Sequence, residues 1–120
     1  MKLPNAENAY VAPEKLSDYL LSEAHDEGGP KSKFFRGVGF AEAMADSLSQ
    51  SLKAIASGFE VLSETPTEHG MKYVVDGSLL SPTGQTVRVR TVWMVRTEED
   101  FPRFVTAYPS KKTRPAEVER

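Results

Sequence analysis

The stretch Gln85-Thr86-Val87-Arg88-Val89-Arg90-Thr91-Val92-Trp93-Met94-Val95-Arg96 decides the fold. In an extended chain Val87, Val89, Thr91, Trp93 and Val95 share one face, and Arg88, Arg90, Val92, Met94 and Arg96 share the other. The first face reads as core. The second is mixed and cationic at both ends. Upstream, Ser81-Pro82-Thr83-Gly84 is a turn signal, and Met71–Leu80 before it reads as a strand. Thr65–Gly70 contains a proline and ends in glycine, so it reads as a turn, with Phe59–Glu64 as the strand before it. Downstream, Phe104–Tyr108 is a fourth strand, bounded by Pro102 and Pro109. Proline is tolerated at strand ends because it need not donate to the ladder there. In this strand Phe104, Thr106 and Tyr108 are expected to project together, opposite Val105 and Ala107.

Before Gly58 the period is helical. The third of three predicted helices runs from about Ala41 to Ser57. Met44, Leu48, Leu52 and Ile55 form its apolar stripe, and Gly58 is its expected C′ residue. A second, short helix opens at Pro30 and ends near Arg36, with Gly37 and Gly39 as its stops. The first begins near Pro13, with Leu16, Tyr19 and Leu20 on one face, and fails before Gly28 and Gly29. Helices first and hairpin-linked strands afterwards predict an α+β fold, with N-terminal helices packed on a four-stranded antiparallel sheet. The expected layout is a single α+β domain over 1–109 and a polar, flexible tail over 110–120.

Composition narrows the chemistry. The chain has 120 residues, a formal net charge of −2 and no cysteine. Disulfides, thiolate nucleophiles and cysteine-based metal sites are therefore excluded. Two histidines leave little room for a His-rich metal site, and no cofactor is expected. No apolar run is long enough to span a membrane, and the N-terminus lacks the apolar run of a signal peptide, so the expected location is the cytoplasm. Charge is unevenly spread. Met1–Glu27 holds two bases against six acids, whereas Thr86–Pro109 holds four arginines against three acids. Local field, rather than net charge, decides whether a phosphate chain is attracted.

Two places carry candidate chemistry. The third and fourth strands together present Arg88, Arg90, Thr106 and Tyr108 on one sheet surface. Guanidinium forks bind phosphate oxygens in pairs, hydroxyls add donors, and a tyrosine ring can stack on a base. The plainer reading is a solvated arginine face that limits edge-to-edge aggregation. The other place is His25, which precedes Gly28-Gly29-Pro30-Lys31-Ser32-Lys33. A helix N-terminus attracts anions, Lys31 and Lys33 add charge, and a histidine transfers protons near neutral pH. The plainer reading there is a loop histidine beside an ordinary cap. His69 lies in a predicted turn and reads as solvent-exposed. Trp93 reads as a core anchor.

The residues also resemble a known family. Lys15-Leu16, Tyr19-Leu20-Leu21, His25, Gly28-Gly29, Lys31, Lys33 and Phe34-Phe35 resemble the start of a bacterial domain of unknown function. That domain occurs as small stand-alone proteins and as C-terminal pieces of toxin-like proteins. Arg90-Thr91-Val92-Trp93, Asp100-Phe101-Pro102-Arg103 and Val105-Thr106-Ala107-Tyr108-Pro109 resemble its C-terminal signature. The resemblance extends up to Pro109. The order of helices, then a four-stranded sheet, is similar to the barnase, EndoU, colicin and RelE-like ribonuclease toxins. That likeness implies a metal-independent RNA endonuclease acting as the toxin of a toxin–antitoxin pair. The chemistry of the residue types, rather than the family, assigns the roles under that reading: His25, Arg90, Thr106 and Tyr108 are expected to be catalytic, Lys31, Lys33 and Arg88 to bind RNA phosphates, and no metal is expected to take part. The implied partners are RNA and an acidic cognate antitoxin or immunity protein. The alternative is a non-enzymatic interaction module, either immunity- or antitoxin-like or an adaptor.

Overall fold

The structure is a computed structural model that describes residues 1–13, 16 and 45–110. A helix α1 (Ala45–Gly58) precedes four strands, β1 (Val61–Thr67), β2 (Gly70–Leu80), β3 (Thr86–Arg96) and β4 (Arg103–Pro109). The strands form one sheet in the order β1-β2-β3-β4, and every neighbouring pair is antiparallel. This is the α+β arrangement expected from the change of period at Gly58. The sequence places Val-rich alternation in β2 and β3, and their register is unbroken from Gly70↔Arg96 to Leu80↔Thr86.

Helix α1 buries Leu48, Leu52, Ile55 and Ala56 against the sheet. Three of these are the predicted stripe. Met44 lies outside the described residues, as does most of the first predicted helix and all of the second. Gly58 is the last residue of α1, and Phe59 N–H still donates to the Ile55 carbonyl at 3.2 Å. Its φ is not in the left-handed region, so the expected C′ glycine is corrected. The helix lies close over Gly77. A Cβ there would stand 2.7 Å from the Phe59 ring and 2.8 Å from the Ile55 side chain.

The start of the chain also corrects an expectation. The described helix lies mid-chain, and residues 1–11 are extended apart from a short 3-10 turn at Ala6–Asn8. Lys2 bridges Glu60, and Tyr10 bridges Arg103. The chain therefore runs beside both ends of the sheet. Leu3, Ala9 and Val11 enter the core, and so does Leu16 of the predicted first stripe. Asn5 adopts a left-handed conformation at φ 54°, which asparagine tolerates, and its amide hydrogen-bonds the Asp100 carbonyl.

Two strand boundaries move for identifiable reasons. β1 extends through Thr65, Pro66 and Thr67, so the predicted turn contracts to Glu68 and His69 between the paired Thr67 and Gly70. Pro66 is admitted because β1 is an edge strand. Gly70 has φ 145°, and a Cβ there would meet the Val95 carbonyl oxygen at 2.2 Å. Thr67 Oγ1 accepts from His69 N–H at 3.1 Å and donates to the Gly70 carbonyl at 2.8 Å, which closes the turn. In the other hairpin Ser81 and Gln85 close the predicted Ser-Pro-Thr-Gly turn, with Ser81 N–H donating to the Gln85 carbonyl at 2.8 Å.

The larger difference is a bulge in β4. Val92 pairs with Thr106 but Trp93 pairs with Phe104, so Val105 is the extra residue. Beyond it the side-chain alternation changes phase. Phe104 therefore sits in the core with Trp93, ring centroids 5.4 Å apart and planes at 69°. Thr106 and Tyr108 remain on the other face, opposite Val92 and Arg90. The expectation that Phe104, Thr106 and Tyr108 project together is corrected by this one inserted residue.

Candidate functional site

The sheet face away from α1 carries the candidate site. Arg90 stands between Asp76 on β2 and Tyr108 on β4, both directly opposite it. Arg88 lies two residues back along β3 and is exposed. Thr106 lies two residues back along β4 and is half-buried, as is Tyr108. The structure thus brings together four of the seven predicted site residues, Arg88, Arg90, Thr106 and Tyr108. The other three, His25, Lys31 and Lys33, lie outside the described residues.

Arg90 is held firmly. Its Nε donates to Asp76 Oδ1 at 2.7 Å and its Nη2 to Asp76 Oδ2 at 3.0 Å, a side-on bidentate fork. The Asp76 side chain is only 6% exposed, so this carboxylate cannot rely on water for solvation. Ser110 Oγ donates to Asp76 Oδ2 at 2.9 Å, and Ser110 N–H donates to the Arg88 carbonyl at 3.2 Å. Burial pushes the Asp76 carboxyl up. The hydrogen bonds from Arg90 and Ser110, with the charges of Arg90 and Arg88, outweigh that and hold it below its ordinary value. The Asp76 hydrogen bond holds the Arg90 guanidinium above its ordinary value, and Tyr108 acts in the same sense.

Sequence reasoning missed Asp76 and placed Ser110 in a flexible tail. A signal for Asp76 was present. An acid in the apolar run Tyr73-Val74-Val75-Asp76 requires a partner once the strand is buried. Which partner it takes depends on the β2–β3 register, which no single strand specifies. The arginine face is therefore not bare cationic charge. Asp76, Arg88 and Arg90 together amount to one net positive charge with a buried carboxylate at its base.

A second cluster lies at the opposite end of this face. Arg103 makes a bidentate pair with Glu99, 2.8 Å at each contact, and its guanidinium lies 5.4 Å from the Tyr10 ring and 5.1 Å from the Phe101 ring. These contacts lock the N-terminal segment to the start of β4. Beside them is an open cleft of about 850 Å³, lined in part by His69, Met94, Arg96, Thr97 and Val105. Among the described residues its lining includes none of the predicted site residues. The His69 side chain is 75% exposed. Among the described residues no group of three or more His, Asp or Glu side chains is placed to hold a metal ion, and no helix is long and apolar enough to cross a membrane.

Chemically, the Arg90 patch can bind and polarise an anion. It carries guanidinium donors held in a fixed orientation, with the side chains of Thr106 and Tyr108 beside them. Among the described residues it holds no histidine, so a general acid–base pair there would need Tyr108 or a group from outside those residues.

No curated protein matches the chain. A solved chain from a contact-dependent growth inhibition toxin–immunity protein complex of Klebsiella pneumoniae 342 is similar in fold, with a TM-score of 0.62 and 19% identity. The match covers 83% of this chain and 98% of that one. Residues 2–111 match the family described as domain of unknown function DUF6883. The chain belongs to this DUF6883 family.

Proposed function

We propose that the domain is the toxin of a toxin–immunity or toxin–antitoxin pair and that it cleaves RNA without a metal. In this reading the fold is a variant of the barnase, EndoU, colicin and RelE-like ribonuclease fold. The observation that carries the proposal is the cross-strand pair Arg90–Tyr108, with Thr106 and Arg88 beside it on one sheet face. The fold likeness to a chain of a toxin–immunity complex supports the toxin–immunity half of the reading. RNA supplies its own nucleophile, the 2′-OH. The protein has to take its proton, give one to the leaving 5′ oxygen and stabilise the extra charge on phosphorus. Arg90 and Arg88 stabilise charge. Thr106 orients a phosphate oxygen, Tyr108 shares in proton transfer, and His25 is the acid or base, with Lys31 and Lys33 on flanking phosphates. Cleavage of a labelled RNA in EDTA tests this, using the wild type, His25→Ala, Arg90→Ala and His69→Ala.

One observation favours a second reading. Asp76 neutralises Arg90 through two hydrogen bonds, as a structural ion pair would. An immunity- or adaptor-like module that binds a protein partner needs only that rigid face. Expression alone in bacteria separates the readings. Growth arrest relieved by co-expression of a neighbouring small gene supports the toxin. Unimpaired growth, with no cleavage of any RNA, supports the interaction module.

A further inference from the structure

We propose that Asp76 is a positioning residue that sets Arg90 as an anion receptor, with Ser110 as its brace; this rests on reading the outer sheet face as a phosphate-binding surface.

The geometry sets the argument. Asp76 takes the Nε and Nη2 edge of the guanidinium, at 2.7 and 3.0 Å. A guanidinium is planar, so fixing that edge fixes the whole group. Its remaining N–H donors are then directed away from the carboxylate. The carboxylate itself is held at a second point by Ser110 Oγ, 2.9 Å from Oδ2. Ser110 N–H in turn donates to the Arg88 carbonyl, so the brace is tied to the strand that carries both arginines. Arg88 supplies the second positive charge, leaving the cluster net positive despite Asp76. A free arginine on a strand samples many rotamers, and ordering it on binding opposes affinity. Here the ordering is built into the fold. The ligand class is a phosphate monoester or diester, for which the fork geometry of a guanidinium is suited.

The electrostatic alternative makes the opposite prediction. If Asp76 merely cancels charge, removing that charge strengthens anion binding. If Asp76 positions Arg90, removing it weakens binding although the patch becomes more positive.

The experiment titrates inorganic phosphate into the full chain and follows the Arg90 Nε–H resonance by NMR, assigned with Arg90→Lys. Circular dichroism checks each fold. The wild type is expected to show a saturable shift at Arg90. Asp76→Asn is expected to lose affinity on the order of tenfold, the scale seen when an outer-shell orienting partner is removed. Ser110→Ala, which keeps the charge of Asp76, is expected to lose about twofold or more, a share of one hydrogen bond to a charged group. Equal or tighter binding by Asp76→Asn overturns the proposal. Should that variant fail to fold, unchanged affinity in Ser110→Ala overturns it. No shift at Arg90 in the wild type also overturns it, whether or not RNA is cleaved. A wild type that binds phosphate at Arg90 but cleaves no RNA leaves this inference standing and removes the ribonuclease reading.

Discussion

The indole N–H of Trp93 donates to the hydroxyl of Thr91 at 2.8 Å, and that hydroxyl donates to the Val75 carbonyl at 2.8 Å. Both side chains are fully buried. Residues two apart on a strand share a face, so the alternation that buries Trp93 also delivers its partner. This relationship gives a structural role to two residues of the Arg90-Thr91-Val92-Trp93 signature. Thr91→Val is nearly isosteric but strands the indole N–H and removes the hydroxyl bond to the Val75 carbonyl. It is expected to destabilise the domain by about 1–3 kcal/mol, the penalty for a buried unsatisfied group. Thr91→Ser keeps the hydroxyl and is expected to lose less. Urea unfolding followed by Trp93 fluorescence measures both. Equal stability of Thr91→Val and wild type would show the chain of bonds to be dispensable.

Gly77 permits the contact between α1 and β2. An added methyl meets Phe59 and Ile55 well inside van der Waals distance. Gly77→Ala is therefore expected to push the helix off the sheet, at about 1–3 kcal/mol for overpacking. The contrasting position is Gly58, where nothing stands within 4 Å of an added Cβ and φ is not in the left-handed region. Gly58→Ala is expected to leave stability unchanged or raise it slightly. Thermal unfolding of the two variants checks the contrast, and equal losses at both sites would refute the close-approach argument.

The acid limb of stability should report Asp76. Its carboxyl is held below the ordinary value: burial opposes ionisation, but the hydrogen bonds from Arg90 and Ser110 and the arginine charges prevail. A depressed folded-state pKa means that the unfolded chain binds the proton first as pH falls. The stabilisation is then present above the unfolded value, about 3.9 for aspartate, and is lost as pH drops through the lower folded value. Denaturant midpoints measured from pH 7 to pH 2 are expected to fall below about pH 4 in the wild type. Asp76→Asn is expected to flatten part of that fall. An identical pH slope in the two proteins would exclude Asp76 as a contributor.

What the sequence made legible was whatever one strand carries by itself. The alternation in β2 and β3, the Ser-Pro-Thr-Gly turn and the Leu48, Leu52, Ile55 stripe each declare their element locally. What escaped depends on pairing. Val105 looks like any strand residue, and only the register shift between Val92 and Trp93 on β3 makes it the extra residue of a bulge. Asp76 and Arg90 are 14 residues apart, and they meet because the turn between the paired Leu80 and Thr86 sets the hairpin register. The extended N-terminal segment is a tertiary effect too. Tyr10 N–H donates to the Pro102 carbonyl and Phe104 N–H to the Tyr10 carbonyl, each at 2.9 Å, and no local pattern announces those bonds.

The proposed cleavage site predicts a specific set of losses. Arg90→Ala removes a charge-stabilising donor and is expected to reduce cleavage on the order of 10²–10³-fold. His25→Ala removes the proposed acid or base, on the order of 10²–10⁴-fold. His69→Ala is expected to retain wild-type activity, since its side chain projects into solvent. Rates on a labelled RNA in EDTA, with circular dichroism on every variant, decide the matter. Wild-type rates in both His25→Ala and Arg90→Ala would remove the site, and loss of activity on chelation would remove the metal-free mechanism.

A cognate inhibitor should be acidic and should cover Arg88, Arg90 and Tyr108. Charge and steric cover act together on this face. Blocking a phosphate-binding face requires carboxylates that reach the same guanidinium donors, and such groups also steer the encounter. Because Asp76 already screens Arg90, the steering falls mainly on Arg88, which is exposed. Arg88→Ala is therefore expected to slow association and flatten its salt dependence, with a smaller effect on dissociation. Arg90→Ala strands the buried Asp76 carboxylate and is expected to act chiefly on dissociation. Stopped-flow association at several salt concentrations, with dissociation followed by competition, separates the two. An inhibitor whose association rate ignores salt and whose affinity is unchanged by Arg88→Ala and Arg90→Ala would bind elsewhere on the domain, and the outer sheet face would no longer be the surface under control.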